Sequence, residues 1–260
     1  MPMIDADGCL LNVAVEGRDG GPTLMLSNSL GCTLQMWEPQ MRALTQVFRV
    51  IRYDRRGHGK SGVPAGPYSV ERFGRDVLAI LDDLNIEKVH WCGLSMGGMV
   101  GQWLGANAPE RLGKIVLSNT TSHYPDRTIW DARIKAVKEG GLASVADTVI
   151  ASWLTQDFRD RQPDIAARMK AMLTATPVEG YLASCEALAT LDLRDDLRKI
   201  KSPTLVIAGR YDQSTPITMA EAIRSNIPGA SMTIIDAAHI SNVEATLNFN
   251  DAVLGFLTQR

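Results

Sequence analysis

Two kinds of apolar pattern alternate along most of the chain. Short apolar runs bounded by turn residues predict strands at 10–16, 23–27, 48–53, 89–92, 115–118, 204–208 and 232–235. Apolar residues at helical spacing predict helices at 35–44, 70–84, 99–108 and 217–225, and a terminal helix carrying Val243, Leu247, Leu254 and Leu257. Strands that alternate with helices are typical of a mostly parallel sheet with helices on both faces. The pattern therefore predicts an α/β fold.

One long interval, 121–199, interrupts this alternation. It is rich in helix-forming residues, at 132–137, 142–150, 165–173 and 181–188, and contains no convincing strand. We interpret it as a helical cap inserted after the sixth strand, with residues 1–120 and 200–260 forming the core. The ligand crevice of such a sheet lies at the carboxyl ends of its strands, so a cap there would shape a binding pocket.

Composition narrows the possible partners and the location. The chain has 260 residues, 45% of them hydrophobic and 22% charged, which suits one large α/β domain with an insertion. Its net charge of −2 and pI of about 6.1 create no field that would attract nucleic acid or an anionic membrane. The sequence shows no leader pattern and no long apolar span, and its four cysteines lack C-x-x-C spacing. We therefore expect a cytoplasmic protein without nucleic-acid or membrane partners; nothing in the sequence predicts an oligomeric state.

The segment Gly93-Leu94-Ser95-Met96-Gly97 has the G-x-S-x-G form of a nucleophile elbow. It directly follows a predicted strand and precedes a predicted helix, which is the setting that the motif requires. In such a turn the serine occupies a strained backbone position that lifts its hydroxyl into a cleft. Glycines flank it because a Cβ would collide with neighbouring backbone. Ser95 is therefore the candidate nucleophile.

A serine nucleophile needs a base, and the base needs an orienting group. His239 lies between the last predicted strand and the terminal helix, and Asp212 lies in the turn after the preceding strand. The resulting order of serine, aspartate and histidine is that of the α/β-hydrolases. Asp236 and Glu244 are alternative partners for His239, less favoured because the turn with Asp212 can approach the far ring nitrogen.

An acyl-transfer site also needs donors for the oxyanion. The backbone N–H of Met96, at the start of the elbow helix, is one candidate, and the helix dipole strengthens it. The N–H of Leu30, in the loop after the strand 23–27, is the other. We expect His58 to order a separate glycine-rich loop. No pair of histidines or cysteines has the spacing of metal ligands, so no metal is expected.

Five segments of the sequence resemble the 3-oxoadipate enol-lactonases of bacterial aromatic degradation, within the α/β-hydrolase superfamily. They are LSNSLG at 26–31 with Met36-Trp37, RYDRRGHG at 52–59, CGLSMGG at 92–98, EGY at 179–181 with CEA at 185–187, and AHISN at 238–242. The most specific part is Asn28-Ser29, where most of the superfamily carries His-Gly. The resemblance spans nearly the whole chain and implies the α/β-hydrolase fold and cofactor-free hydrolysis of 3-oxoadipate enol-lactone.

The implied substrate is a small anionic lactone, so the pocket should hold a cation. Arg133, beside Trp130 at the start of the cap, is our candidate, because a guanidinium matches a carboxylate with two hydrogen bonds. The alternative is that Arg133 belongs to a solvated basic helix face. Trp130, Trp153 and Tyr181 are candidates for the pocket wall, although aromatic residues on helices are more often core.

Two other functions use the same features. A carboxylesterase, a carbon–carbon bond hydrolase or a perhydrolase-like enzyme would have the same triad and a similar cap, because fold and triad do not name a substrate. A binding protein on a hydrolase scaffold belongs to a different class. The complete set of Ser95, Asp212 and His239 argues against it.

Overall fold

The computed structural model describes residues 2–259, across which eight strands form one sheet. The strands are β1 (Met3–Asp5), β2 (Leu10–Gly17), β3 (Thr23–Ser27), β4 (Arg49–Tyr53), β5 (Val89–Leu94), β6 (Leu112–Ser118), β7 (Thr204–Gly209) and β8 (Ser231–Ile235). Their order is β1-β2-β4-β3-β5-β6-β7-β8, with β1, β2 and β4 paired antiparallel and the remaining neighbours parallel. The predicted mostly parallel sheet is confirmed.

Helices cover both faces of this sheet. They are α1 (Glu38–Leu44), α2 (Val70–Asp83), α3 (Met96–Asn107), α4 (Thr128–Gly140), α5 (Ala143–Trp153), α6 (Gln156–Arg161), α7 (Pro163–Thr174), α8 (Val178–Ala189), α9 (Arg194–Leu197), α10 (Ile217–Asn226), α11 (Ser241–Glu244) and α12 (Thr246–Thr258). Every residue of β7 is buried, although successive strand side chains point to opposite faces. No helix among the described residues is long and apolar enough to cross a membrane.

The register of the strands brings their carboxyl ends to one level. Ser27 at the end of β3 pairs with Gly93 of β5, and Leu94 at the end of β5 pairs with Ser118 of β6. The loops after β3, β5, β6 and β7 therefore leave the sheet at the same edge. This edge is where the crevice of a parallel sheet forms.

The helices α4 to α9 lie between β6 and β7, so the predicted helical cap after the sixth strand is confirmed. Helices α4, α5, α7 and α8 pack on one another, whereas the short α9 contacts α3 and α10 of the core. The two connections of the insertion run side by side, since Leu193 N–H donates to Ser122 O at 2.8 Å. The division into residues 1–120, 121–199 and 200–260 stays a prediction, and its outermost residues, 1 and 260, lie outside the described chain.

Three local predictions differ from the structure. Strand β1 is absent from the predicted elements, because three residues carry too little periodicity and the strand is defined by its pairing with β2. Within the cap, the sequence pattern also does not predict the two short helices α6 and α9. The predicted terminal helix is two helices, α11 and α12, that separate at Ala245, and its Leu247 is 77% exposed and not part of the core.

Candidate active site

Ser95 forms a strained turn between β5 and α3. Its backbone has φ 56° and ψ −115°, a left-handed region that non-glycine residues seldom occupy. The neighbouring glycines have no room for a side chain: a Cβ on Gly93 would meet the carbonyl of Gly97, and a Cβ on Gly97 would meet the carbonyl of Ser27. The turn has the strained backbone and the crowded glycines that the predicted nucleophile elbow requires, and it places Ser95 at the amino end of α3.

Asp212 and His239 are joined by a hydrogen bond of 2.8 Å between Oδ2 and Nδ1. The same carboxylate accepts the Thr215 hydroxyl at 2.7 Å and the backbone N–H groups of Ser214 and Thr215 at 2.8 and 2.9 Å. Burial acts to raise the pKa of Asp212, but His239 and these hydrogen bonds outweigh it and hold the pKa below its ordinary value. Asp212 is therefore an anion at neutral pH and can stabilise a protonated His239.

Asn119, which directly follows β6, connects the loop that carries Asp212 to the loop that carries His239, here called the histidine loop. Its Nδ2 donates to Asp212 Oδ2 at 3.0 Å and to Ala238 O at 3.2 Å, and its Oδ1 accepts from the Ser241 hydroxyl at 2.6 Å. Asn119 is not among the site residues predicted from the sequence. Its sequence shows only a polar residue at the carboxyl end of a central strand, and no motif distinguishes it from other polar residues.

The two alternative carboxylates serve other partners. Asp236 forms an exposed ion pair with Arg210. Glu244 accepts the N–H of Ala238 at 2.8 Å and both the N–H and the hydroxyl of Thr155, the N-cap residue of α6. Glu244 thus ties the histidine loop to the cap, while the His239 ring itself is bonded to Asp212.

The two predicted oxyanion donors lie on segments that are joined to each other. The N–H of Gly97 donates to Asn28 O at 3.0 Å. Gly97 follows Met96 directly, and Asn28 lies two residues before Leu30. Among the described residues, the N–H groups of Leu30 and Met96 have no hydrogen-bond acceptor in the protein. Both residues are buried, and Leu30 lines the same cavity as Ser95. The arrangement leaves two unpaired donors available beside the serine.

Ser95 and His239 line one small cavity of about 80 Å³ under the cap. Within residues 2–259 the His239 ring bonds Asp212 and Thr215 and makes no hydrogen bond to the Ser95 side chain; such contacts often tighten only when substrate is bound. All four predicted binding residues line this cavity: Trp130, Arg133, Trp153 and Tyr181. Ser29, from the Asn28-Ser29 pair, also lines it, and the further lining residues that the sequence did not indicate are Tyr124, Ile129, Val149, Ser152, Leu188 and Ser214.

Arg133 is the cation of this cavity. Its Nη1 donates to the Tyr181 hydroxyl at 3.1 Å, and among the described residues it forms no ion pair with a carboxylate. Arg127, the N-cap residue of α4, instead pairs with Asp131 and Glu186 at the surface. The guanidinium of Arg133 therefore keeps donors free for a ligand. No group of three His, Cys, Asp or Glu side chains in the described chain is arranged to hold a metal ion.

Comparison with known proteins agrees with this geometry. The model of the alpha/beta hydrolase fold family matches residues 22–246. The chain belongs to the α/β-hydrolase family. It is 40% identical to 3-oxoadipate enol-lactonase 2 of Acinetobacter baylyi, over 96% of this chain and 94% of that protein. It superimposes on the crystal structure of the enol-lactonase from Burkholderia xenovorans LB400 with a TM-score of 0.97 and 38% identity, covering 99% of this chain and 100% of that one.

More distant members of the family show how widely the scaffold is used. A putative carbamate hydrolase, RutD of Stutzerimonas stutzeri, is 31% identical over 92% of each chain. The resemblance found from LSNSLG and the other segments is therefore confirmed, and this α/β-hydrolase is more similar to the two enol-lactonases than to that enzyme.

Proposed function

We propose that this α/β-hydrolase opens 3-oxoadipate enol-lactone to 3-oxoadipate through an acyl-enzyme on Ser95. The observation that carries the proposal is one small cavity that holds Ser95, the Asp212-bonded His239 and the cation of Arg133 together. The similarity to two enol-lactonases over nearly the whole chain supports the choice of substrate. Oxyanion donation by Leu30 and Met96 belongs to the same proposal.

The first half of the reaction forms the acyl-enzyme. His239 takes the proton of the Ser95 hydroxyl through Nε2, because Nδ1 is engaged by Asp212. The serine oxygen attacks the lactone carbonyl, and the carbonyl oxygen becomes an oxyanion that the N–H groups of Leu30 and Met96 stabilise. The ring C–O bond then breaks, and His239 returns its proton to the departing enol oxygen.

The chemistry of the leaving group explains why ring opening is not simply reversed. In a lactone the leaving oxygen stays on the acyl chain, so it could attack the ester again at high effective concentration. Tautomerisation of the enol to the ketone removes that nucleophile. Water activated by His239 then attacks the acyl carbonyl and releases the product from Ser95.

Arg133 is the proposed partner of the substrate carboxylate. The acidic chain, with net charge −2, gives no general attraction to an anion, so capture depends on a local cation. Two donor groups of a guanidinium can bind one carboxylate, and Trp130 and Trp153 line the same cavity, where apolar walls would strengthen such a contact.

The test follows the loss of ultraviolet absorbance of freshly prepared enol-lactone, with a neutral p-nitrophenyl ester as the comparison substrate. Wild type should turn over the lactone rapidly and the ester poorly, and Ser95→Ala should abolish both. Good ester turnover beside slow lactone turnover would instead favour the carboxylesterase. Binding without turnover of either substrate would favour the binding protein.

Arg133→Ala tests the carboxylate contact. It should lower kcat/KM on the anionic lactone by about 10- to 100-fold, as expected for a hydrogen bond to a charged group, and leave the ester almost unchanged. Arg127→Ala is the matched control, because Arg127 lies in surface ion pairs outside the cavity. Equal losses on both substrates would contradict the role.

A further inference from the structure

The loop that carries the oxyanion donor Leu30 is held by one short segment, residues 54–58. The Arg55 guanidinium donates to Asn28 O at 2.7 Å, and Asp54 Oδ1 accepts the N–H of Leu34 at 2.8 Å. Between these two contacts, His58 Nε2 accepts the N–H of Gly31 at 3.0 Å. The three contacts occur along seven residues of the loop, and that of His58 is next to Leu30.

The hydrogen-bonding pattern defines the state of the His58 ring. A backbone N–H can only donate, so Nε2 must present a lone pair to Gly31. The proton is therefore on Nδ1, which lies 3.3 Å from the carbonyl of Arg56. The side chain is fully buried, and both ring nitrogens are used.

Burial keeps this ring neutral. Desolvation, with the nearby Arg55 guanidinium, lowers the pKa of His58 to about 3. The lone pair on Nε2 is thus available to Gly31 throughout the neutral range.

The loop has little freedom to adopt another position. Gly31 has φ +72°, and a Cβ there would lie 2.5 Å from Leu173 and 3.3 Å from Tyr181. The backbone of the loop therefore packs directly against the cap, and Tyr181 is itself a wall of the cavity. A shift of Gly31 would move the Leu30 N–H relative to Ser95, and misplacement by about 1 Å can cost about 100-fold in rate.

We propose that His58 is a positioning residue for the oxyanion hole: it holds Gly31 so that the preceding N–H, that of Leu30, points at the carbonyl oxygen of the bound ester. The inference rests on the proposed function, because it assumes Ser95 chemistry. His58 does not touch the substrate. It acts through the loop, and its contribution should be larger for the tetrahedral intermediate than for the bound ground state.

The test compares His58→Leu, which removes the acceptor, with His58→Gln, whose side-chain oxygen can accept from Gly31. Each variant is measured for kcat and KM on the p-nitrophenyl ester. Each is also measured for the affinity of an arylboronic acid, whose serine adduct carries an oxygen in the oxyanion position, and of adipate, a ground-state mimic. His90→Leu is the matched control, because His90 accepts an equivalent bond from Lys114 N–H at 2.9 Å outside this site.

We expect His58→Leu to lower kcat and weaken boronate binding by about 10- to 100-fold, as expected for a displaced oxyanion donor, with KM and adipate binding almost unchanged. His58→Gln should recover most of the loss, and His90→Leu should match wild type. Wild-type rates and boronate affinity in His58→Leu would overturn the inference. So would equal weakening of boronate and adipate.

Two further outcomes are separable. If the wild type hydrolyses neither the ester nor the lactone and does not bind the boronate, both the proposed function and this inference are wrong. Should His58→Leu not fold, nitrogen-15 NMR of the wild type provides the test. A coupling across the Gly31 N–H···Nε2 hydrogen bond, with a shift of the Leu30 amide on boronate binding, supports the proposal, and absence of either overturns it.

Discussion

The buried ring of His58 predicts a loss of stability in mild acid. Burial, reinforced by Arg55, lowers the pKa of His58 to about 3 in the folded protein, whereas a histidine in an unfolded chain titrates at about 6.5. Below that value the unfolded chain binds a proton that the folded protein excludes. The free energy of unfolding therefore falls as the pH decreases from about 6.5 towards about 3, and the contribution of His58 is complete above about 6.5.

The magnitude follows from the two pKa values. One excluded proton gives a slope approaching about 1.4 kcal/mol per pH unit, so His58 alone should remove about 2 kcal/mol between about pH 7.5 and about pH 5. Any folded pKa below about 4 gives nearly the same figure over this interval. His90, whose pKa burial also lowers, adds to the total loss, so only a comparison of variants isolates His58.

The assay is urea unfolding, followed by circular dichroism, of wild type and His58→Gln across that pH range. Glutamine does not titrate, and His90 is common to both proteins, so the difference between the two pH dependences belongs to His58. Wild type should lose about 2 kcal/mol more than the variant. Parallel pH dependences would contradict the predicted loss of stability, because they would mean that the folded protein accepts the proton on His58.

Three other predictions concern the contacts around the triad. Asn119→Ala removes a donor to Asp212 and should lower kcat about tenfold in steady-state assays; an unchanged kcat would contradict it. Glu244→Ala and Thr155→Val should each lower the melting temperature, and the double variant should lose less than their sum, since both changes remove the contact of the Thr155 hydroxyl with Glu244; strict additivity would contradict this coupling. Gly97→Ala should destabilise the protein by about 1–3 kcal/mol in urea unfolding, because its Cβ would meet backbone; wild-type stability would count against the crowding.

Local chemistry made the elbow and most of the sheet predictable. Apolar runs marked the central strands because their residues are buried on both faces. The elbow could be found because a strained serine with no room beside it requires glycine, as Gly93 and Gly97 demonstrate. The three-residue β1 could not be found this way, since its only support is pairing with β2.

The contacts of Asn119 and His58 required the tertiary structure. Asn119 donates to Asp212 and Ala238, which lie 93 and 119 residues away along the chain. The residues around Asn119 in the sequence do not indicate these partners. The same holds for His58. Its motif predicts an ordered loop, but His58 can bond Gly31 only because β3 and β4 are neighbours in the sheet.

Residue identity and local periodicity were enough to predict the fold class, the order of serine, aspartate and histidine, and the similarity to enol-lactonases. Which of the candidate side chains meet depends on how distant elements pack. Arg127 and Arg133 are six positions apart in one basic run, yet the first is in surface ion pairs and the second lines the cavity. The difference arises because side chains point in different directions around a helix and because the cap packs over the cavity. These two effects direct Arg127 to water and Arg133 to the site, and the basic run alone does not reveal them.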